Sequence, residues 1–429
     1  MKYNYLKNHF VMWTKHCLLF SLIIFSFTAC IKKKSNSRIE KFRNKNLSET
    51  IGDYTPNMPI DTNAKPLEIS IPKDLDKSFK LSDVIESVTY LKLGEVPNDI
   101  LTGLIRKLTI KNGKIFILDG HKSDVFVFDD LGNFEFAVRG SGDGPGEFRK
   151  ASAFAVDSFN EEIAIHDDKL SKIVYYKLNG DFIREEFIGF RFSDFEFLND
   201  STIAVETAKT YNDHLPDIKN NQLILVNKQW KIISKGIDYN ANTERKTFFS
   251  GQALRFYGEN LSYFKPFSNT QYEISKSGNL VPIVKFEMNQ LSLPEQAESA
   301  SDIDEFHNLY FKKDYAFLIS SPIHLKDWIY ALIEYNNRQI SIFYDKNSTE
   351  SIYGLNYEND IQALGFYYIE TLIPDSNQLV SYISSESIAK AKENLPVDTS
   401  SIPEDIAKLF SKTVAEDNPV LIFYNLKSN

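Results

Sequence analysis

Short apolar runs separated by polar turns recur along most of this chain. Ile115–Leu118 and Val125–Phe128 form one such pair, and Ile163–Ile165 and Ile173–Tyr176 form the next. Each landmark of the first pair returns 48 residues later in the second. The pattern predicts a repeating unit made of a strand, a polar turn, a second strand and a glycine-containing hairpin that leads to a third strand.

The same unit continues in degenerate form toward the C-terminus. An insertion at Asn289–Phe311 interrupts it and predicts a short helix or lid. The predicted strands of the later units are Leu223–Val226 with Ile232, Tyr272–Ile274, Ile340–Tyr344, and in the last unit Phe366–Ile369 and Leu379–Ile383. The last unit also contains two predicted helices, Glu386–Asn394 and Pro403–Lys412.

A repeat of about 40–50 residues with about four strands is typical of a β-propeller blade. We therefore predict an all-β fold over residues 67–429, a six-bladed β-propeller of mostly four-stranded antiparallel blades with small helical insertions. Val88–Leu93 and Val420–Leu426 are predicted to share one blade and close the ring. The regular spacing disfavours the alternative, a generic antiparallel sandwich.

The N-terminus has the features of a secretory leader. Lysines at positions 2, 7 and 15 precede the apolar run Cys17–Phe27, and small residues lead to Cys30. The run is too short for a transmembrane helix, which needs about 20 apolar residues. The placement of Cys30 resembles the lipobox of bacterial lipoproteins, which implies a diacylated cysteine as the mature N-terminus. We predict a signal peptide at 1–29 and a lipidated Cys30 with a polar, flexible tether at 30–66.

The charge of the chain limits the kinds of binding partner, and its cysteine content bears on disulfide formation. Loss of the three leader lysines leaves 46 basic and 58 acidic residues, a net charge of −12. Nucleic acid is therefore not an expected partner, because its binding needs a basic surface. Loss of Cys17 leaves Cys30 as the last cysteine, so no disulfide is expected within the chain.

The chain resembles the six-bladed propeller lipoproteins of Bacteroidota, a family largely of unknown function. The resemblance rests on the lipobox and tether, on the NHL-like segment Gly142–Phe148, and on the ending Glu416–Leu421 followed by Tyr424–Lys427. It implies a cell-envelope protein anchored by lipid. The basic Lys32–Lys34 departs from the acidic tract typical of surface export in that phylum, so the expected location is the outer membrane, facing the periplasm.

The segment from Arg139 to Phe148 is the best local candidate for a ligand site. Arg139, Asp143 and Glu147 are the candidate ligand-binding residues, and Gly142, Gly144 and Gly146 are the turn glycines. Glycine permits positive φ and close backbone approach. The alternative is a tight turn between blades that uses the same glycines only to turn the chain. No Lys-Ser/Thr follows, so it is not a phosphate loop.

Other polar residues of the repeat have structural explanations. Asp119 and Asp167 occupy equivalent positions and either surround a channel that holds a cation or cap their own turns. His166 corresponds to Leu118 of the previous unit, which favours packing over catalysis. The five histidines outside the leader lack zinc-site spacing, and no Gly-x-Ser-x-Gly elbow is present. We predict no catalytic residue, cofactor-binding residue or metal ligand.

The predicted function is a non-enzymatic binding or scaffolding module. Its partners are the membrane, through the lipid anchor, and a glycan, a peptide or another envelope protein. The alternative is a propeller hydrolase or lactonase with a divalent cation such as Ca²⁺ in the central channel. Carboxylates and amides from several blades would then converge on the axis, whereas a binding module would present aromatic and mixed polar side chains there.

Replacement of Cys30 tests the lipid anchor. Cys30→Ala should move the protein from the membrane fraction to the soluble fraction, because the anchor depends on that thiol. Cys17→Ala, within the leader, is the matched control and should leave membrane fractionation unchanged. Unchanged fractionation of Cys30→Ala would contradict the lipoprotein prediction.

Overall fold

Six small antiparallel sheets form a ring in the computed structural model, as predicted. The structure describes residues 55–140, 142–207, 212–238, 252–265, 267–293, 304–305, 308, 315–361, 364–393 and 403–428. Cys30, the leader and the predicted tether up to residue 54 lie outside the described residues, as does most of the insertion at 289–311. The elements before the first blade are β1 (Leu67–Ser70), β2 (Ser78–Lys80), helix α1 (Leu81–Val84) and β3 (Ile85–Lys92).

Blades 1 to 3 follow the predicted repeat. Each has four strands in simple up-and-down order. Their strands are β4 (Ile105–Lys111), β5 (Lys114–Asp119), β6 (Val125–Asp129), β7 (Phe134–Val138), β8 (Ala151–Asp157), β9 (Glu162–Asp167), β10 (Lys172–Lys177), β11 (Phe182–Phe187), β12 (Asp194–Phe197), β13 (Thr202–Glu206), β14 (Asn221–Asn227) and β15 (Ile232–Asp238).

Blades 4 to 6 are less regular. The inner edge of blade 5 is divided into two short strands, and blade 6 combines both ends of the fold. Their elements are β16 (Leu254–Tyr257), β17 (Asn260–Phe264), β18 (Thr270–Ile274), β19 (Leu280–Glu287), a 3₁₀ turn (Asn289–Leu291), β20 (Ala316–Leu318), β21 (Ile323–His324), β22 (Trp328–Tyr335), β23 (Arg338–Asp345), β24 (Ser351–Gly354), β25 (Asn356–Glu358), β26 (Thr371–Leu372), β27 (Gln378–Ile383), α2 (Ser385–Glu393), α3 (Glu404–Lys412) and β28 (Val420–Leu426).

The predicted ring closure is confirmed. β28 pairs antiparallel with β27 on one side and with β3 on the other, from Val420 opposite Lys92 to Leu426 opposite Ile85. Blade 6 therefore takes its outermost strand from the N-terminal part of the chain and its three inner strands from the C-terminal part. The two helices predicted in this blade are also confirmed, at α2 and α3.

The predicted strand Phe366–Ile369 is wrong, because β26 begins only at Thr371. Tyrosine hydroxyls take the place of a neighbouring strand here. The backbone N–H of Phe366 donates to the Tyr357 hydroxyl at 3.0 Å, and that of Tyr367 donates to the Tyr424 hydroxyl at 3.0 Å. Side-chain partners thus satisfy the backbone without a ladder.

Residues 55–80, which we call the belt, lie along the outer edges of blades 3, 4 and 5. The belt exchanges hydrogen bonds with Lys235 of β15, where Met58 N donates to Lys235 O at 2.7 Å. β1 then pairs parallel with β19, and β2 pairs parallel with β25. The tether was predicted to extend to residue 66, and its described part from Thr55 contacts the propeller instead. The belt covers edge strands whose unpaired backbone groups would otherwise be exposed.

The hairpin between the third and fourth strands of a blade repeats in detail. Gly132 and Gly180, 48 residues apart, have φ of +80° and +90° and occupy the same turn position. In blade 3 that position is taken by Trp230, with φ of +57°. Its indole is buried, and Nε1 donates to the Tyr175 hydroxyl of blade 2 at 2.7 Å. Packing between blades therefore stabilises a backbone conformation that a bulky side chain disfavours.

Among the described residues, no helix has the length and apolar character needed to cross a bilayer.

The belt should contribute measurably to stability. Ile69 is 1% exposed and packs with Val284 and Phe286, so Ile69→Ala should lower the free energy of unfolding by about 2–5 kcal/mol. Glu68→Ala, on the exposed face of the same strand, is the matched control and should change it by less than about 0.5 kcal/mol. Urea denaturation measures both. Equal effects from the two substitutions would show that the belt is not packed on blade 4.

Candidate functional site

The innermost strands of the blades surround a central channel. Near the ends where these strands begin, the channel widens into a cavity of about 780 Å³. Residues of β4, β8, β12 and β16 line it, together with residues just before β26 and Tyr382 of β27. We call it the entry cavity.

A buried ion group lies between the walls of this channel. Lys107 Nζ of β4 contacts Asp194 Oδ1 at 2.8 Å and Glu196 Oε1 at 2.7 Å, both on β12. Asp194 and Glu196 are two positions apart, so both side chains leave the same face of the strand. The Lys107 side chain is 5% exposed, and its ammonium also lies 5.5 Å from the ring centre of Phe154.

The electrostatics of this group are dominated by burial. Burial opposes the charged form of Lys107, but the two carboxylates outweigh that effect and raise the pKa of Lys107. For Glu196, burial is the largest effect and raises the pKa. Asp194 acts in the same direction, and Lys107 opposes it. Charges in such a place need their partners, because an isolated buried charge is strongly destabilising. Lys107 thus occupies the position between these two carboxylates that a cation would otherwise take.

A second cavity of about 380 Å³ lies where the same inner strands end. The hairpins that follow the inner strands of blades 1, 2 and 4 contribute to its walls. We call this second cavity the hairpin cavity. Arg255 and Gln252 line both cavities. Asp194 lines the entry cavity and Glu196 the hairpin cavity, so the ion group lies between the two.

Arg255 is the second buried cation of the channel, with 6% of the residue exposed. Its Nη1 donates to the Glu370 carbonyl oxygen at 3.0 Å. Burial lowers the pKa of Arg255. Burial also raises the pKa of the nearby Glu370 carboxyl to about 7, although Arg255 favours its ionised form.

The entry cavity presents aromatic and mixed polar side chains. Phe192, Tyr368 and Tyr382 provide rings, and Tyr368 is 39% exposed. Charges of both signs come from Lys150, Asp168 and Glu206, and Ser193 adds a hydroxyl group. This combination suits a ligand that offers both ring faces and hydrogen-bonding groups.

The candidate ligand-binding residues predicted from the sequence each have a different partner within the chain. Arg139 Nη2 pairs with Asp99 Oδ2 at 3.1 Å, and Asp143 pairs with Arg149. Glu147 accepts a hydrogen bond from the backbone of Gly144 at 2.9 Å. None of the three candidates lines either channel cavity.

The turn glycines of this segment have different roles. Gly146 has φ of +74°, and a Cβ there would meet the Phe182 ring at 2.8 Å. Gly142 and Gly144 have no such φ, but a Cβ at either would crowd the Glu147 carboxylate. The Gly146 carbonyl accepts a hydrogen bond from the Tyr176 hydroxyl at 2.6 Å, which ties the segment to blade 2.

Asp119, Asp167 and His166 have structural roles. Asp119 accepts hydrogen bonds from the backbone of Thr102, His121 and Lys122. Asp167 does the same for Arg149, Lys169 and Leu170. Each aspartate thus joins its own turn to the segment that enters its blade. His166 is buried against Phe192 at 3.8 Å between ring centres, and burial lowers its pKa to about 3.

Sequence reasoning missed Lys107, Asp194, Glu196 and Arg255. A signal was present in the run Phe192–Phe197, where acidic residues alternate with phenylalanines in a strand of a repeat. A charge at alternate positions of an otherwise apolar strand indicates a buried partner. The partner itself, 87 residues away at Lys107, could not be identified from local pattern.

A family model described as a domain of unknown function, DUF4934, matches residues 66–425. The chain belongs to this family. Among solved structures, a protein of Bacteroides fragilis described as exported is similar with a TM-score of 0.68 and 18% identity, over 85% of this chain and 100% of that one. A DUF4221 family member from Bacteroides vulgatus has a TM-score of 0.45 and 12% identity, over 80% and 97%. Comparison with curated proteins gave no match.

Replacement of Lys107 should show how strongly the two buried carboxylates destabilise the folded state when they have no counterion. Lys107→Met should lower the free energy of unfolding by about 3–5 kcal/mol at pH 7, because it leaves buried carboxylates without their counterion. Burial, which already raises the pKa of Glu196, is then no longer opposed by Lys107, so the pKa of that carboxyl rises further above its value in the unfolded chain. The folded state holds protons that the unfolded state releases, so stability falls as pH rises and the loss should be larger at pH 8 than at pH 5.

The matched control removes all three charges. Lys107→Met combined with Asp194→Asn and Glu196→Gln should recover much of the lost stability and abolish the added pH dependence. Urea denaturation at the two pH values measures both effects. A loss in Lys107→Met that does not depend on pH would contradict the proposed electrostatic role.

Proposed function

We propose that this protein is a lipid-anchored, non-enzymatic binding module of the cell envelope, which takes up its ligand or partner at the central channel. The candidate ligands are a glycan, a peptide or a segment of another envelope protein. The proposed anchor is the lipid on Cys30, and the proposed location is the outer membrane, facing the periplasm.

The observation that carries this proposal is the arrangement of charge in the channel. Two buried carboxylates of the channel, those of Asp194 and Glu196, come from one strand, β12, and both pair with Lys107. Among the described residues, no group of three or more His, Cys, Asp or Glu side chains is placed to hold a metal ion. This favours the binding module over the alternative, a hydrolase with a divalent cation at the axis.

The entry cavity supplies the positive part of the argument. Its volume of about 780 Å³ is within the range of small-molecule sites. Tyr368 and Tyr382 are amphipathic rings, which combine apolar contact with a hydroxyl that needs a partner. Such side chains are common where proteins bind sugars, peptides or other proteins.

The location is supported by independent features. The basic start, the apolar run and the small residues before Cys30 are those of a leader that directs export. The structurally similar protein from Bacteroides fragilis is described as exported. Two acyl chains would give a stable anchor, because one chain binds membranes only marginally.

Ligand uptake at the channel can be tested by substitution of two exposed aromatic residues, one at the cavity and one away from it. The mature chain from residue 31 should bind at least one member of a panel of peptidoglycan fragments, lipopolysaccharide core oligosaccharides and envelope-protein peptides, measured by calorimetry. Tyr368→Ala should weaken that binding about tenfold or more, because the ring lies at the entry cavity. Phe187→Ala, on the outer strand β11 with 59% of the residue exposed and outside the cavity, should leave it unchanged.

The metal alternative is tested on the same material. After EDTA treatment, addition of Ca²⁺, Mg²⁺, Mn²⁺ or Zn²⁺ should leave the melting temperature unchanged. A metal-specific rise, together with esterase or lactonase activity that depends on that metal, would overturn the proposal in favour of the hydrolase.

A further inference from the structure

The charges that line the entry cavity balance. Among the described residues, four cationic side chains border it, namely Arg106, Lys107, Lys150 and Arg255. Four anionic side chains border it as well, namely Asp168, Asp194, Glu206 and Glu370. The wall as a whole therefore favours neither an anion nor a cation. A neutral ligand that carries many hydrogen-bonding groups suits such a wall best.

Glu370 offers this cavity an acceptor that the chain itself does not use. Its backbone is fully paired, because the N–H donates to the Val380 carbonyl oxygen at 2.9 Å and the carbonyl oxygen accepts from Arg255 at 3.0 Å. In the described part of the chain, its half-buried carboxylate accepts no hydrogen bond and forms no ion pair. An ionised carboxylate accepts through two oxygens, and both remain for a ligand.

Arg255 and Tyr382 lie close to this carboxylate on two other elements, β16 and β27. Burial lowers the pKa of Arg255, and the charges of Tyr368, Glu370 and Asp194 oppose that effect. Burial raises the pKa of Tyr382, and the Glu370 charge adds to that effect. Such effects weaken with distance, so these groups are neighbours. All of them line the entry cavity, where one ligand can contact several of them.

Hydrogen-bond donors and an aromatic ring lie beside the acceptor. The Tyr382 hydroxyl oxygen accepts from the backbone of Ile105 at 3.3 Å, and among the described residues its own proton has no acceptor. Of the five N–H donors of the Arg255 guanidinium, one has an acceptor in the described part of the chain. Tyr368, two positions before Glu370, adds a ring that is 39% exposed.

We propose that the entry cavity binds a neutral saccharide, which packs a sugar ring on Tyr368 and donates hydrogen bonds from neighbouring hydroxyl groups to the Glu370 carboxylate. This inference rests on the proposed function, because it selects one ligand class for the channel. The C–H face of a sugar ring packs on an aromatic ring by apolar contact. Each sugar hydroxyl both donates and accepts, so one ring can use Glu370 together with Tyr382 and Arg255.

A peptide fits these groups less well. A peptide bond offers a single N–H, whereas two hydroxyls on adjacent carbons of a sugar match the two oxygens of one carboxylate. A charged side chain also gains little here, because Arg255 lies beside Glu370 and the charges of the wall balance.

A panel of uncharged trisaccharides tests the ligand class. The mature chain from residue 31 should bind at least one of maltotriose, cellotriose, mannotriose and N-acetylated chitotriose, measured by isothermal titration calorimetry. Trilysine and triglutamate should bind at least about tenfold more weakly than the best of these. A charged tripeptide that binds as tightly as the best trisaccharide would overturn the inference.

The pH dependence of binding assigns the contact to Glu370. Burial raises the pKa of this carboxyl to about 7, although Arg255 favours its ionised form, and hydroxyl donors bind the ionised form. Affinity should therefore rise about tenfold from pH 6 to pH 8, in proportion to the ionised fraction. His166, which stacks on Phe192 of the cavity wall, has a pKa of about 3 and stays neutral over this range. Affinity that does not change with pH would contradict a contact with Glu370.

Two variants of nearly unchanged shape separate the charge from the fold, and thermal melting confirms that each is folded. Glu370→Gln should weaken trisaccharide binding about tenfold at pH 8 and remove the pH dependence, because hydrogen bonds to a charged acceptor are the stronger ones. Tyr382→Phe should weaken binding several-fold and leave the pH dependence in place. Glu334→Gln is the matched control, since burial also raises the pKa of that carboxyl on β22, outside the cavity, and it should bind normally.

The remaining outcomes distinguish this inference from the proposed function. If no trisaccharide binds at millimolar concentration while an envelope-protein peptide or a charged glycan fragment does, the inference fails and the binding module stands. If a trisaccharide binds and Glu370→Gln binds it as the unmodified chain does at both pH values, the sugar lies elsewhere and the inference is also overturned. If neither the trisaccharides nor the larger panel bind, both proposals fail.

Discussion

The pairing of β3 with β28 is the contact on which the whole ring depends. It joins residues near position 90 to residues near position 420 through an antiparallel ladder, and it completes the sheet that closes blade 6. Without this ladder, blade 6 would have an open edge on β28 and the N-terminal part of the chain would have no place in the ring. The apolar side chains of both strands, including Ile85, Val420 and Tyr424, then pack into one cluster with α2 and α3. Closure by hydrogen bonds is thus reinforced by burial of apolar surface.

The ring brings together side chains that no single blade could combine. Lys107 belongs to blade 1, Asp194 and Glu196 to blade 3, Arg255 to blade 4 and Glu370 to the segment that enters blade 6. Their meeting at the axis is a result of closure, because each innermost strand contributes only a few residues to the channel. The interior of this channel is consequently more polar than the packed interfaces between the blades, where aromatic pairs such as Phe116 and Phe154 meet.

The fold could be predicted from the sequence because its unit repeats. The 48-residue period survives even in the bulges, since the register shifts at Val127/Phe128 and Tyr175/Tyr176 are one period apart. The channel could not be predicted in the same way. Lys107 follows a bulge in the pairing of β4 with β5, and one residue of register decides whether a side chain of that strand faces the axis. The belt was missed for a related reason: residues 55–66 are polar and rich in proline, and they bind by backbone pairing rather than by an apolar pattern.

The belt also determines the order in which this molecule can assemble. Its residues precede every blade in the chain, yet their hydrogen-bond partners lie at Lys235, on β19 and on β25. The strand that follows the belt, β3, pairs with β28, more than 300 residues further along the chain. These pairings can form only once the blades between them are in place, over sequence separations that make folding slow. Until then the incomplete ring has open edges and exposed apolar strands, so the molecule passes through an aggregation-prone stage late in folding.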